Sequence, residues 1–140
     1  MRARDLMQRD PITIRPDAPY LEIQRLFVEA QIGGAPLVDE AGHVHGLITT
    51  ADLLRAVDEL CDEDLDPAEP ESEEALARGL GELTAHMLAT PDPTWVSPDL
   101  PVAEVARTMR EEGVHRVLVG TEGRLEGILT AFDLLGWQPT

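Results

Sequence analysis

Lysine is absent from this chain of 140 residues, and cysteine occurs once. Its eleven cationic side chains are therefore all Arg, set against 27 Asp and Glu, for a formal charge of -16. So acidic a chain does not track along nucleic acid or settle on an anionic membrane surface, because both present phosphate to it. Cys61 has no second cysteine to pair with, which suits a cytoplasmic setting, and it reads as an ordinary helix residue. No apolar run approaches membrane-spanning length, and Met1-Arg2-Ala3-Arg4-Asp5 lacks the apolar stretch of a signal peptide. Metal ligation has little to work with: His43 and His45 flank Val44 beside a turn, and His86 stands alone. Nothing pairs a nucleophile with a base, so no catalytic set is offered and the chain reads as a non-enzyme.

What is present is repetition. Gly46-Leu47-Ile48-Thr49-Thr50-Ala51-Asp52 returns as Gly127-Ile128-Leu129-Thr130-Ala131-Phe132-Asp133, and Leu-Leu follows each copy. Asp10-Pro11, Pro16-Asp17 and Pro19 return 82 positions later as Asp92-Pro93, Pro98-Asp99 and Pro101. The offset has fallen to 81 by Gly46 and Gly127, so one residue is lost near Glu40 and Ala41. A duplicated unit of about 50 residues fixes an architecture with a pseudo-twofold and two equivalent ligand positions. Either unit alone would bury too little surface to be robust, so the two are expected to pack on each other.

The acidity is local. Residues 58–74 hold ten of the 27 acids and no Arg; the other 17 face all eleven Arg, leaving a charge of only -6. The chain divides accordingly into a first unit (1–61), an acidic linker (62–74), and a lead-in helix with the second unit (75–140). Within the linker, Asp62, Asp64, Asp66 and Glu73 fall at positions 1, 3, 5 and 12 of a calcium loop. That loop turns on Gly at position 6, where this chain has Pro67, which cannot take positive φ. The segment reads as a solvated linker that carries no metal and keeps the chain soluble.

The first unit opens with a short β run, Ile12-Thr13-Ile14. Tyr20, Ile23, Leu26, Phe27 and Ala30 then recur at helical spacing, Pro19 sits in the first turn, and Gly33-Gly34 ends the helix. Strands at 35–38 and 44–48 flank the turn Asp39-Glu40-Ala41-Gly42-His43, and a second helix runs from near Thr49 toward Cys61. The second unit repeats the order: Trp95-Val96, a helix carrying Val102, Val105, Ala106 and Met109 and ended by Gly113, a hairpin (117–119, 125–129) around Glu122-Gly123, and a final helix at 133–137. Between them, 62–74 is expected to be a loop and 75–87 a helix. The reading is a mixed α/β fold, two β-α-β-β-α units with both helices of each on one face of a small sheet.

Thr49-Thr50-Ala51-Asp52 and Thr130-Ala131-Phe132-Asp133 carry the chemistry. Each is a capping box, in which Thr and Asp satisfy first-turn amides, and a cap accounts for either copy alone. The same place presents free amides to an anion, and a carboxylate beside it accepts bonds from two ribose hydroxyls. Arg116, after His115, offers a planar fork suited to phosphate in a chain short of local cations.

These pieces, with Ile32-Gly33-Gly34-Ala35-Pro36-Leu37-Val38-Asp39 and Val114-His115-Arg116-Val117-Leu118-Val119, resemble a tandem pair of CBS domains, the cystathionine-β-synthase-type regulatory module. The likeness spans nearly the whole chain apart from the acidic linker. It implies two units packed sheet to sheet with helices on the outside, clefts that take adenosyl ligands, and a homodimer formed through the helices. By position it implies Thr49 and Thr130 on phosphate or ribose oxygens, and Asp52 and Asp133 on the ribose hydroxyls. Thr13, Ile14, Ala35 and Pro36 would line one adenine pocket; Trp95, Val96, Val117 and Leu118 would line the other. His115 and Arg116 match a phosphate-facing pair, whereas the first unit has Gly33-Gly34 there, so the two sites differ. The expected function is a cytoplasmic sensor of AMP, ADP, ATP or S-adenosylmethionine acting on a separate regulated protein. The alternative is a ligand-independent dimerisation module.

Overall fold

The computed structural model describes residues 1–61, 66 and 68–137. In chain order its elements are α1 (Ala3–Leu6), β1 (Gln8–Arg9), α2 (Tyr20–Ala30), β2 (Gly34–Val38), β3 (Val44–Thr49) and α3 (Thr50–Leu60), then α4 (Pro70–Gly81), α5 (Ala85–Leu88), β4 (Trp95–Val96), α6 (Val102–Glu112), β5 (Arg116–Thr121), β6 (Arg124–Thr130) and α7 (Ala131–Leu135). They form two compact units, and the lead-in segments are grouped crosswise. Thr13–Ala41 and His45–Pro91 make one, so the first repeat carries α4 and α5. Met1–Ile12, Gly42–Val44 and Asp92–Thr140 make the other, so the second repeat carries α1 and β1.

In the second-repeat unit the sheet order is β1-β6-β5-β4, with β4 parallel to β5 and β1 antiparallel to β6. The first-repeat unit has the same lateral order in abbreviated form. Its β2-β3 sheet is extended by single bridges, Ile14 parallel to Leu37 on one side and Thr90 antiparallel to Leu47 on the other. Apolar spacing then explains each core. Ile14, Tyr20, Ile23, Phe27, Leu37, Ile48, Leu53 and Leu80 bury together in one unit; Val96, Val105, Met109, Val117, Val119 and Leu129 do so in the other.

Several boundaries differ from the expectation for physical reasons. The run Ile12-Thr13-Ile14 is not a strand: only Ile14 pairs, donating to the Pro36 carbonyl at 2.9 Å and accepting from Val38 at 2.9 Å. Helix α2 ends at Gln31, which takes φ 54 and donates to the Phe27 carbonyl, before Gly33 is reached. Its counterpart Gly113, at φ 68, does end α6 as expected. Pro19 precedes the first turn as the N-cap of α2. Cys61 is the exposed residue after α3.

The lead-in also differs. The expected loop at 62–74 contains the start of α4 at Pro70, and residues 62–65 and 67 lie outside the described residues. Proline is favoured at that first helical position, and Glu71 and Glu73 in the first turn complement the helix dipole. The single helix expected at 75–87 is two, because Thr84 takes extended backbone (φ -117, ψ 164) and a fresh turn starts at Ala85. The final helix begins at Ala131, two residues earlier than read, directly after its Thr130 cap.

Candidate functional site

In the first repeat, β3 runs straight into α3, and the junction is closed by the Thr49–Asp52 capping box. The Thr49 backbone N–H donates to Asp52 Oδ2 at 2.8 Å, and Thr49 Oγ1 lies 3.2 Å from the same oxygen. The other oxygen, Oδ1, accepts from Thr90 Oγ1 at 3.0 Å and from Arg55 Nη1 at 3.0 Å. Asp52 is only 2% exposed, so this carboxylate is buried with both oxygens occupied. The Thr50 N–H, donating to the Gly33 carbonyl at 3.0 Å, ties Gly33-Gly34 to the same junction.

The second repeat builds the same corner with different side chains. The Thr130 N–H donates to Asp133 Oδ2 at 2.9 Å, and the Asp133 N–H donates to Thr130 Oγ1 at 3.2 Å. Gln8 Nε2 spans the carboxylate, 3.2 Å from Oδ1 and 3.4 Å from Oδ2. The Ala131 N–H donates to the His115 carbonyl at 2.7 Å, and Arg116 stands directly opposite Thr130 in the β5–β6 register. Side chains opposite each other share a sheet face, so the Arg116 side chain leaves the sheet beside that of Thr130. Arg116 is half-buried, and desolvation pushes its guanidinium below its ordinary value. Asp133 is only partly buried.

Close approach of the lead-in segments depends on two glycines at the same repeat position. A Cβ on Gly46 would lie 2.7 Å from the Thr90 carbonyl oxygen; one on Gly127 would lie 2.7 Å from the Gln8 carbonyl oxygen. Without a side chain there, Thr90 and Gln8 reach their carboxylates.

Of the expected adenine-lining residues, Ala35, Val96, Val117 and Leu118 are core side chains, as are Pro36 and Ile14. Thr13 is exposed and Trp95 partly so. Thr13 and Ile14 border a recess of about 250 Å³. A larger one of about 460 Å³ lies over Thr13, Arg15, Val38 and Asp39. Neither touches Asp52. Arg15 at their rim pairs loosely with Glu22 at 3.4 Å and Asp17 at 3.6 Å, both exposed. Asp39 is bonded to His45 Nε2 at 2.6 Å. Sequence reading missed Gln8, Thr90 and Arg55. The repeat offset holds the signal for the first two, since Gln8 and Thr90 lie 82 apart like the motifs around them.

A duplicated helix-strand-strand-helix unit with a Thr-x-x-Asp corner in each copy defines a tandem-repeat module. The chain belongs to the CBS domain family, whose model matches residues 3–59 and 82–139. An uncharacterized protein of Methanocaldococcus jannaschii is 30% identical over 132 residues, covering 94% of this chain. The chain spans 41% of that relative's length. The CBS domain of a membrane protein from Sphaerobacter thermophilus is 34% identical with a TM-score of 0.80, covering 99% of this chain and 88% of that one. CBSX2, solved in complex with AMP, shares the fold at TM-score 0.74 and 24% identity, over 96% of this chain and 93% of its own. So does a CBS domain pair solved with 5′-methylthioadenosine and S-adenosyl-L-methionine (TM-score 0.75, 24% identity, 97% and 94% covered). Among the described residues no helix is long and apolar enough to cross a membrane.

Proposed function

We propose that this chain is a regulatory module that senses an adenosyl ligand, either an adenine nucleotide (AMP, ADP or ATP) or S-adenosylmethionine. The observation that carries the reading is the carboxylate held in place by its own Thr in both copies, in a family where pairs of this fold have been solved with AMP and with S-adenosyl-L-methionine. Where such a carboxylate is open to solvent, as Asp133 partly is, it accepts from the two hydroxyls of a ribose, the group those ligands share. Arg116 supplies the phosphate contact, with His115 beside it, and Thr130 adds a hydroxyl to phosphate or ribose. The adenine wall comes from the partly exposed Trp95 in the second repeat, with Val96, Val117 and Leu118 packed behind it.

Binding biases packing, and a regulated protein reads the change; the module works as a homodimer in the cytoplasm, where these ligands abound. The role is regulatory, not catalytic. Thermal unfolding with AMP, ADP, ATP and S-adenosylmethionine in turn tests this. Ligand at a hundredfold over its dissociation constant adds about 2.7 kcal/mol, which raises the midpoint by several degrees in a chain of this size. No rise with any of them overturns the reading and leaves the dimerisation module, which sedimentation of the ligand-free chain then checks.

A further inference from the structure

The two Thr-x-x-Asp corners are not equivalent, and the differences all run one way. Asp52 is sealed: at 2% exposure it accepts from Thr49 and Thr90, and its charge is matched by Arg55 at 3.0 Å. The repeat offset puts Gly136 where the first copy has Arg55, so Asp133 has no such cation on its own helix. Asp133 instead faces a neutral amide, Gln8 Nε2, at 3.2 and 3.4 Å across both oxygens. Two long bonds from one uncharged donor are weaker than what holds Asp52, and they fill the place that a pair of hydroxyls would take. The cation of the second copy sits elsewhere. Arg116 stands opposite Thr130, and the first copy has Gly34 at that position. One copy thus spends its Arg on neutralising the carboxylate, while the other sets its Arg on the neighbouring strand.

We propose that each chain binds one nucleoside 5′-phosphate, at the second repeat, and that Thr49-x-x-Asp52 is a structural bolt. Asp133 accepts from the ribose diol in place of Gln8, and Arg116 takes the phosphate. The proposal rests on the sensor reading above and narrows it: a site built around a guanidinium prefers AMP, ADP or ATP to the cationic S-adenosylmethionine. It also gives the N-terminal segment a role, since Gln8 must yield its amide bonds for the ligand to enter.

Isothermal titration with AMP, ATP, adenosine and S-adenosylmethionine tests it on the full chain and on four variants. Expected are one ligand per chain and a loss on the order of tenfold to a hundredfold in AMP affinity for Asp133→Asn. Arg116→Ala should lose as much for AMP and little for adenosine. Asp52→Asn should bind AMP as the parent does while unfolding at lower temperature. Arg55→Ala, which unpairs the buried Asp52 and should lower the unfolding midpoint, should also leave affinity unaltered. Two ligands per chain, or affinity lost in Asp52→Asn and Arg55→Ala but kept in Asp133→Asn, overturns the assignment and leaves the sensor reading standing. Tighter binding of S-adenosylmethionine than of AMP overturns the phosphate assignment. No binding of any ligand removes the sensor reading itself.

Discussion

Asp52 is the buried charge among the described residues, and its stability contribution follows from its partners. Replacing it with Ala removes a capping box and leaves Thr90 Oγ1 and the Thr49 N–H without their acceptor. A cap is worth about 1 kcal/mol and an unsatisfied buried donor about 1–3 kcal/mol, so Asp52→Ala should cost about 2–4 kcal/mol. Asp133→Ala breaks a cap in a wetter place and should cost only about 1 kcal/mol. Urea unfolding of both variants checks the ranking; equal losses would contradict it. Tyr20, the single tyrosine, gives a second test. Burial raises its hydroxyl above the ordinary value of 10.0, and that hydroxyl donates to the Leu53 carbonyl at 3.3 Å. The folded chain then holds the proton more tightly than the unfolded chain does. Its contribution is whole below about pH 10 and is lost as pH rises through the folded value. Stability of the parent should fall over that range, and the fall should be smaller in Tyr20→Phe. Tyrosinate absorbance of the folded parent should appear only above the pH at which a free tyrosine ionises.

At the scale of elements, the repeat makes each copy a control for the other. Helices α2 and α6 both end in a left-handed residue, but one uses Gln31 at φ 54 and the other Gly113 at φ 68. A side chain in that conformation costs roughly 1 kcal/mol, which glycine avoids. Gln31→Gly should therefore stabilise by up to about 1 kcal/mol, and Gly113→Ala should cost about as much. Thermal unfolding reads both, and opposite signs are the point of the comparison. The same pair shows where sequence reading succeeds and where it stops. Gly113 announces its turn by residue type, whereas Gln31 does not, and the Gly33-Gly34 pair beginning two positions on draws the boundary away. Strand centres were legible where apolar residues run together, as at Leu37 or Val117, but not their edges: β5 spans Arg116–Thr121 against a reading of 117–119. The opening strand at Ile14 was not, because one bridge between two prolines leaves little pattern to read. Gly46 and Gly127 had a meaning only the fold reveals. Each lets a lead-in backbone pass within 2.7 Å of the place a Cβ would fill, so Gly46→Ala and Gly127→Ala should each cost about 1–3 kcal/mol by forcing that segment off.

At the scale of the whole molecule, the doubled motif was enough to give family, fold class and the two Thr-x-x-Asp corners, since a repeat is visible without any alignment. Part of the inequality was legible too, in Gly33-Gly34 against His115-Arg116; what stayed hidden was how each carboxylate is held. Periodicity says that Asp52 and Asp133 occupy matching places; it is silent on the contacts of Arg55 with Asp52 and of Gln8 with Asp133, which set their charge environments. The same charge accounting governs global stability. Eleven Arg cannot neutralise 27 acids, and the ion pairs of Arg2, Arg4, Arg15 and Arg107 lie at exposed positions where each contributes little. Repulsion among the unmatched carboxylates therefore outweighs attraction, and it falls hardest on the compact state, where they are closest. Raising salt from about 0.01 M to about 0.15 M shortens the screening length from about 30 Å to about 8 Å. The thermal midpoint should climb over that interval. A chain held together by its surface ion pairs would do the opposite, so calorimetry across the salt series decides between them. AMP should add its own increment on top, and Arg116→Ala should remove that increment while leaving the salt-driven rise in place.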